Sequence, residues 1–224
     1  MRFSRVVVAL VMICLAATVG CTRQIAGTAK QDPHAPGTAL TDDGFGIIAG
    51  DPEAPIQIEL FTEPQCSHCA ELQADFGKEI ASYINLGQLA VTYRPMVFLD
   101  TPTNDHSARV SNALFLAVGP DTSGPAFQAF VEDLWAHQDP GGSGTTDAEI
   151  ADMARQSGVG SAEADKIAAG DEALNIRDMA DSNFSYLYEI DPLDTGTPTV
   201  YDVANDEKID IYDNNWLSKL MSSH

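Results

Sequence analysis

Apolar positions recur along this chain with two different periods, and the switches between them lay out its elements. Ile56-Gln57-Ile58-Glu59-Leu60-Phe61 nearly alternates and predicts a strand. From Ala70 onward, Leu72, Phe76, Ile80 and Ile84 recur at helical spacing, predicting a helix to about Leu86 that Gly87 closes. Gly46–Gly50 is a short strand candidate, separated from the first strand by the turn Asp51–Pro55. Leu89–Arg94 and Met96–Leu99 predict a further strand bent at Pro95. A helical block follows. It holds His106–Val118, a helix opened by Ser123 or Gly124 that carries Phe127, Phe130 and Trp135, and one behind the capping box Thr146-Asp147-Ala148-Glu149 that Gly158 stops. A short helix capped by Ser161 and a last one from about Glu172 to Tyr188 complete the block, and Asp139–Gly144 predicts a mobile loop. Strands return at Thr199–Val203 and Lys208–Tyr212, flanking the turn Asn205-Asp206-Glu207, before a final helix capped by Asn214. The order β-α-β, helical block, β-β-α places the chain in the α/β class.

The first 20 residues are a different material. Arg2 and Arg5 precede a nearly unbroken apolar run from Val6 to Val19, short for a membrane span and suited to a signal-peptide core. Ala17-Thr18-Val19-Gly20-Cys21 resembles a bacterial lipoprotein signal, with Thr18 where that signal usually has Leu, Val or Ile. The resemblance implies that Cys21 becomes the acylated, palmitate-bearing first residue of an exported protein anchored to the membrane. The alternative is ordinary cleavage nearby, leaving a soluble secreted protein with a free thiol. Residues 21–43 are small, polar and broken by Gly27, Pro33, Pro36 and Gly37, and predict a flexible lipidated tether.

Four cysteines stand at 14, 21, 66 and 69. Export with cleavage at Cys21 discards Cys14, and acylation of Cys21 leaves only Cys66 and Cys69 as thiols, with none to spare for structural staples. The net charge of −21 makes nucleic acid an unsuitable partner. The acids form no tight calcium loop, and the helical block carries neither a phosphate-binding loop nor a metal motif, so no cofactor is expected.

The chemistry therefore concentrates in Cys66-Ser67-His68-Cys69, at a strand-to-helix turn. Unpaired N–H groups and the positive end of the helix dipole favour a thiolate there, and a thiolate is the nucleophile of disulfide exchange. A second segment, Gly196-Thr197-Pro198-Thr199-Val200, precedes the hairpin, where Pro198 at a strand's first residue is a candidate cis bond.

With both segments in place the chain resembles the thioredoxin superfamily, and its DsbA-like branch in particular. The resemblance covers about Gly44 to Ser222 and implies a thioredoxin-like domain over 44–222 with a helical insertion at about 104–190. It also implies roles: Cys66 the exposed nucleophile, Cys69 the buried resolving thiol, and His68 a group that stabilises the Cys66 thiolate. Pro198 would lie against the cysteines and keep metal from between them, and Thr197 would offer backbone hydrogen bonds to an extended substrate. Ser67 departs from the proline common at its position. Many members carry an acid six positions before the first cysteine. Here that position is Leu60, and Glu59 and Glu63 are the nearby candidates, each as readily a solvated carboxylate. His106 and His137 read as helix-surface or capping residues, and Phe61, Phe76 and Trp135 as core.

The expected activity is an extracytoplasmic thiol–disulfide oxidoreductase on the outer face of the bacterial cytoplasmic membrane, an oxidase forming disulfides in reduced exported proteins. The resemblance implies a quinone-linked membrane oxidase as its recycling partner. Three other readings stay open: a reductase or isomerase, a metal-binding or assembly module using Cys66 and Cys69, with or without His68, as ligands, and a thioredoxin-fold scaffold that keeps the two cysteines only as a structural disulfide.

Overall fold

The structure of the protein, a computed structural model, describes residues 36–139 and 144–223. The signal segment, Cys14, Cys21 and the tether up to residue 35 lie outside the described residues, as does most of the predicted Asp139–Gly144 loop.

Strand β3 (Ile56–Thr62) is the centre of a six-stranded sheet. Strand β4 (Leu89–Pro95) runs parallel to it on one side and β5 (Thr199–Asp202) antiparallel on the other. Antiparallel β2 (Ile47–Ala49) and β1 (Thr38–Leu40) extend the sheet beyond β4, and β6 (Glu207–Lys208) extends it beyond β5. Every residue of β3 except Gln57 is buried, because both faces of a central strand are covered.

Glu59 is the anomaly in that strand, at 8% exposure, and its partner comes from the neighbouring strand. Arg94 of β4 reaches Glu59 at 3.1 Å and Asp43 at 2.7 Å, and its guanidinium lies 5.2 Å from the Tyr186 ring centroid. Two carboxylates and an aromatic face thus compensate one buried cation.

Seven helices lie among the described residues. Helix α1 (Ser67–Asn85) follows β3, and its half-buried Phe76 meets Trp216 of α7 (Trp216–Ser222) edge-on at 5.3 Å. Helix α3 (Gly124–Ala136) packs close to α1 at Gly77, where a Cβ would fall 2.5 Å from Glu132 Cγ. Helix α6 (Ile176–Ile190) is tied to the sheet by Asn183, whose Nδ2 donates to the Phe45 and Pro95 carbonyls at 3.0 Å. Helices α2 (His106–Leu116), α4 (Asp147–Ser157) and α5 (Ser161–Ala169) complete the inserted block. Ile58 and Val91 of the sheet share one apolar cluster with Phe127, Ile150 and Met179 of the block, so the insertion is part of the same core.

Several sequence expectations shift. The tether does not run to 43: Thr38–Leu40 pairs with Ile47–Ala49, and Thr38 donates to the Gly119 carbonyl at 3.4 Å. Three residues are too few to print a period. Residues 96–99 are not a strand: Met96 N–H makes the last bond to β3, to the Thr62 carbonyl at 2.8 Å, and the chain then turns at 98–99. The last helix of the block starts at Ile176, where the Asn175 side chain accepts from the N–H groups of Arg177 and Asp178. Gly160, not Ser161, caps α5, and Asn215, not Asn214, caps α7. The second hairpin strand ends at Lys208, although Ile209 N–H still bonds the Val200 carbonyl at 2.8 Å. His106 is not a surface residue: it is 4% exposed, with Nδ1 buried and unpartnered. His137 follows α3 as expected, exposed and held by Asp133.

Candidate active site

The site forms where β3 hands over to α1. After Thr62 the chain turns, Cys66 N–H bonding the Glu63 carbonyl at 3.0 Å, and Cys66 becomes the N-cap of α1. No side-chain oxygen caps this helix, so its first N–H groups are left facing the Cys66 sulfur. Cys66 is half-buried, and one helical turn on Cys69 is 1% exposed.

The two thiols are driven apart in acidity. The Cys66 thiol is pulled down to about 5, chiefly by the hydrogen bond it receives from the Cys69 thiol. Partial burial opposes this, and the N–H groups of Cys69 and His68 assist it, as does the Thr197 side chain. The Cys69 thiol is pushed well above the ordinary range, first by burial and then by its bond to Cys66 and the thiolate charge there. One sulfur is thus an anion at neutral pH and the other holds its proton.

Across from Cys66 stands Thr197, joined to Pro198 by a cis peptide bond. The Cys66 thiol donates to the Thr197 carbonyl at 3.3 Å. The thiolate form is favoured instead by the Thr197 hydroxyl, which is buried without another partner. Beside this contact lies a groove of about 370 Å³, lined by Thr197, Pro198, Asp194, Lys208, Ile209 and Tyr212 among others. Lys208 is drawn to Asp191, and Tyr212 is 79% exposed at the rim.

Of the two candidate acids, Glu59 is committed to Arg94, and Glu63 belongs to the site. Glu63 is fully buried, not solvated. Its Oε2 accepts the Gln65 N–H at 2.6 Å, and its Oε1 accepts the Ser107 hydroxyl in a short bond. Burial pushes its carboxyl up to about 7, against those two bonds, and the nearby charges of Asp100 and the Cys66 thiolate add to the rise.

His68 was expected to stabilise the Cys66 thiolate by hydrogen bonding or charge. It contributes its backbone N–H to Cys66, while its side chain is exposed. Among the described residues no three His, Cys, Asp or Glu side chains converge as metal ligands. Cys21 lies outside the described residues.

Sequence reasoning missed the residues that hold the loop in place. Gln138, just past α3, donates to the Pro64 and Cys66 carbonyls at 2.7 and 3.0 Å. Gln65 donates to Asp100 and to Ser107, both at 2.9 Å, and accepts from Asn104 at 2.9 Å. Asp100 in turn accepts the N–H groups of Ser107 and Ala108. Gln65 was open to suspicion from its place directly before Cys66. The others carry no local signal, because their partners are remote in sequence.

Comparison with known proteins agrees with this geometry. The profile of the thioredoxin family (Thioredoxin_4) matches residues 42–220. The fold is similar to MdbA, a thiol-disulfide oxidoreductase from Corynebacterium matruchotii, with a TM-score of 0.68 and 21% identity over 84% of this chain and 93% of that one. It is also similar to reduced DsbA from Mycobacterium tuberculosis, with a TM-score of 0.59 and 18% identity over 83% of this chain and 90% of that one. At these identities the likeness is one of fold, and it includes the helical insertion. Among curated proteins, the serine/threonine-protein kinase PknE of Mycobacterium tuberculosis is 26% identical over 181 residues, 79% of this chain. The chain spans 31% of that kinase's length.

Proposed function

The chain belongs to the thioredoxin family, and from that premise we propose that it is an extracytoplasmic thiol–disulfide oxidoreductase working as an oxidase. The observation that carries the reading is the split between Cys66, about 5, and the buried, strongly raised Cys69, set against Thr197 and Pro198. The structural relatives described as thiol-disulfide oxidoreductases support the same reading.

The oxidising half-reaction follows from that split. A substrate thiolate attacks Cys66 Sγ of the Cys66–Cys69 disulfide, forming a mixed disulfide and releasing Cys69 as a thiolate. Cys69 takes a proton, since its surroundings disfavour the anion. A second substrate thiol, losing its proton, attacks the substrate sulfur of the mixed disulfide and expels the Cys66 thiolate. Two electrons pass from the substrate to the protein. Of the two substrate thiol protons, one ends on Cys69 and the other on Glu63 or in solvent.

Direction comes from which form is stabilised. With Cys66 pulled down to about 5 from the ordinary 9.0, the reduced form is stabilised as its thiolate at pH 7, which shifts the two-electron couple toward oxidising power. A site that stabilises its reduced form hands its disulfide on readily.

The remaining roles are part of the same proposal. Thr197 presents backbone groups to an extended substrate strand beside the Cys66 sulfur, and Pro198 shapes the groove next to it. His68 holds the thiolate through its N–H, and the residue is exposed beside the reacting sulfur. Export, acylation of Cys21 and a quinone-linked membrane partner that reoxidises the pair would place the reaction at the outer face of the cytoplasmic membrane. The test is reoxidation of a reduced, unfolded disulfide protein. Cys66→Ser abolishes the reaction if the proposal holds, and undiminished activity overturns it. A potential as low as that of thioredoxin would move the protein to the reducing side.

A further inference from the structure

Ser107 is fully buried at the start of α2, remote in sequence from the redox cysteines, yet its hydroxyl donates to Glu63 Oε1. That hydroxyl also accepts the Gln65 Nε2–H at 2.9 Å. Its backbone N–H donates to Asp100 Oδ1 at 2.8 Å, and the same oxygen receives the second Gln65 Nε2 hydrogen. These groups form one network, which Asn104 joins at Gln65 Oε1, and in it Ser107 has a single hydroxyl proton and a single acceptor for it, Glu63. Glu63 reaches the redox pair through its own backbone as well, its main chain bonding Cys69.

We infer that Ser107 is a positioning residue: its hydroxyl fixes the Glu63 carboxyl in the site and favours its ionised form, making the helical insertion part of the machinery that takes up a proton when the disulfide is reduced. The inference rests on the thiol–disulfide reading above. In the disulfide form no thiolate faces Glu63, and Ser107 and Gln65 favour the carboxylate. Reduction by two substrate thiols breaks the Cys66–Cys69 bond and delivers two electrons and two protons. One proton stays on Cys69, and the new negative charge on Cys66 adds to the burial that favours a proton on the Glu63 carboxyl, which shares the other proton with solvent. Reoxidation removes the charge and returns both protons. A donor that favours the carboxylate keeps it available as a base in the disulfide form.

Other charged groups near Glu63 are few. Asp100, from the segment after β4, and the Cys66 thiolate both raise its proton affinity. His106, next to Ser107, has its proton affinity lowered by burial and by Arg109, against Asp100, Asp139 and Asp105. Arg109 is itself engaged by Asp105 and Asp147. None of these replaces the bond from Ser107.

The test follows the reduced full-length protein by the carbon-13 NMR shift of the Glu63 carboxyl and by the pH dependence of its disulfide-exchange equilibrium with glutathione. Both inflect near pH 7 in the unsubstituted protein. Glu63→Gln removes the inflection. Ser107→Ala moves it upward by roughly one unit or more, the effect of losing a hydrogen bond to a charged group, and Ser107→Thr, which keeps the hydroxyl, restores it. The Cys66 inflection near 5 stays in place in all three, because Glu63 is still protonated there. An unmoved Glu63 inflection in Ser107→Ala, with folding intact, overturns the inference and leaves the oxidoreductase reading standing. An inflection that survives Glu63→Gln also overturns it. Loss of exchange activity in Cys66→Ser tests the underlying reading separately.

Discussion

Cys66 Sγ and the carbonyl oxygen of Thr197 lie 3.3 Å apart across 131 positions of sequence. That contact closes the site, because everything between the two residues, including the whole helical block, is folded so that they meet. The same residue offers a hydroxyl that favours the thiolate. Thr197→Val removes the hydroxyl and keeps the shape. The expected result is a Cys66 inflection raised from about 5 by roughly one pH unit, read by thiolate ultraviolet absorbance, with the backbone contact retained.

The acidity of Cys66 sets the pH profile of its reactivity. Its thiolate is half-formed near 5, so alkylation of the reduced protein by iodoacetamide should fall about tenfold per unit below that point and stay flat from pH 6 to 8. An ordinary cysteine would still be rising across that upper range. Because folding lowers this thiol, its contribution to the stability of the reduced protein is complete above the unfolded-state value and is lost as pH falls through 5. Reduced protein should therefore gain in melting temperature over the disulfide form as pH rises from 5 to 8.

Glu63 has the opposite sign. Folding raises its carboxyl to about 7, so whatever stability its protonated form gives is present below the usual carboxylate range and is lost as pH rises through 7. Glu63→Gln resembles the protonated carboxyl, with one acceptor oxygen and one donor in place of two acceptors, and carries no charge to bury. The variant should be more stable than the parent at pH 8, on the order of 1–3 kcal/mol, with the difference gone by pH 4. Denaturant midpoints at the two pH values check it.

The contrast between Glu59 and Glu63 shows how much of the site was legible in the sequence. The cysteine motif, Thr197-Pro198, the apolar face of α1 and the capping box at Thr146 are local patterns, and each stands where its pattern put it. Which acid belongs to the thiols is not local. It depends on Arg94 taking Glu59 from the next strand and on Ser107 meeting Glu63 from a different helix. Gln138 was illegible for the same reason, since its two acceptors are backbone carbonyls that any residue could have supplied. The shortened β6 is a different failure. The alternation from Lys208 to Tyr212 is genuine, but the chain turns at Asp210, whose side chain accepts the Tyr212 N–H at 3.1 Å.

The buried pair under the sheet makes a prediction about stability without touching the chemistry. Arg94→Met leaves the Glu59 carboxylate in the core with its cation gone and should cost about 3–5 kcal/mol, read from denaturant midpoints. Adding Glu59→Gln to it removes the stranded charge and should recover a large part of the loss. Additive single effects would mean that Asp43 and Tyr186, not Glu59, carry the interaction with Arg94.

Cys69→Ala separates the two things the buried thiol does. As the largest influence lowering Cys66, its hydrogen bond is lost with the sulfur, and the Cys66 inflection should move from about 5 toward the ordinary range. As the thiol that can expel a bound peptide, its absence should preserve the adduct formed when the Cys66 thiolate attacks a single-cysteine peptide activated as its thionitrobenzoate disulfide and releases thionitrobenzoate, because neither a second peptide thiol nor another described cysteine can attack it. The two readouts are independent: ultraviolet titration gives the first, and mass spectrometry of the trapped adduct under non-reducing conditions gives the second. Trapping with an unmoved Cys66 inflection would assign the low value to the helix start and Thr197 alone. A shifted inflection with no trapped adduct would mean that a group other than Cys69 releases a bound peptide from Cys66.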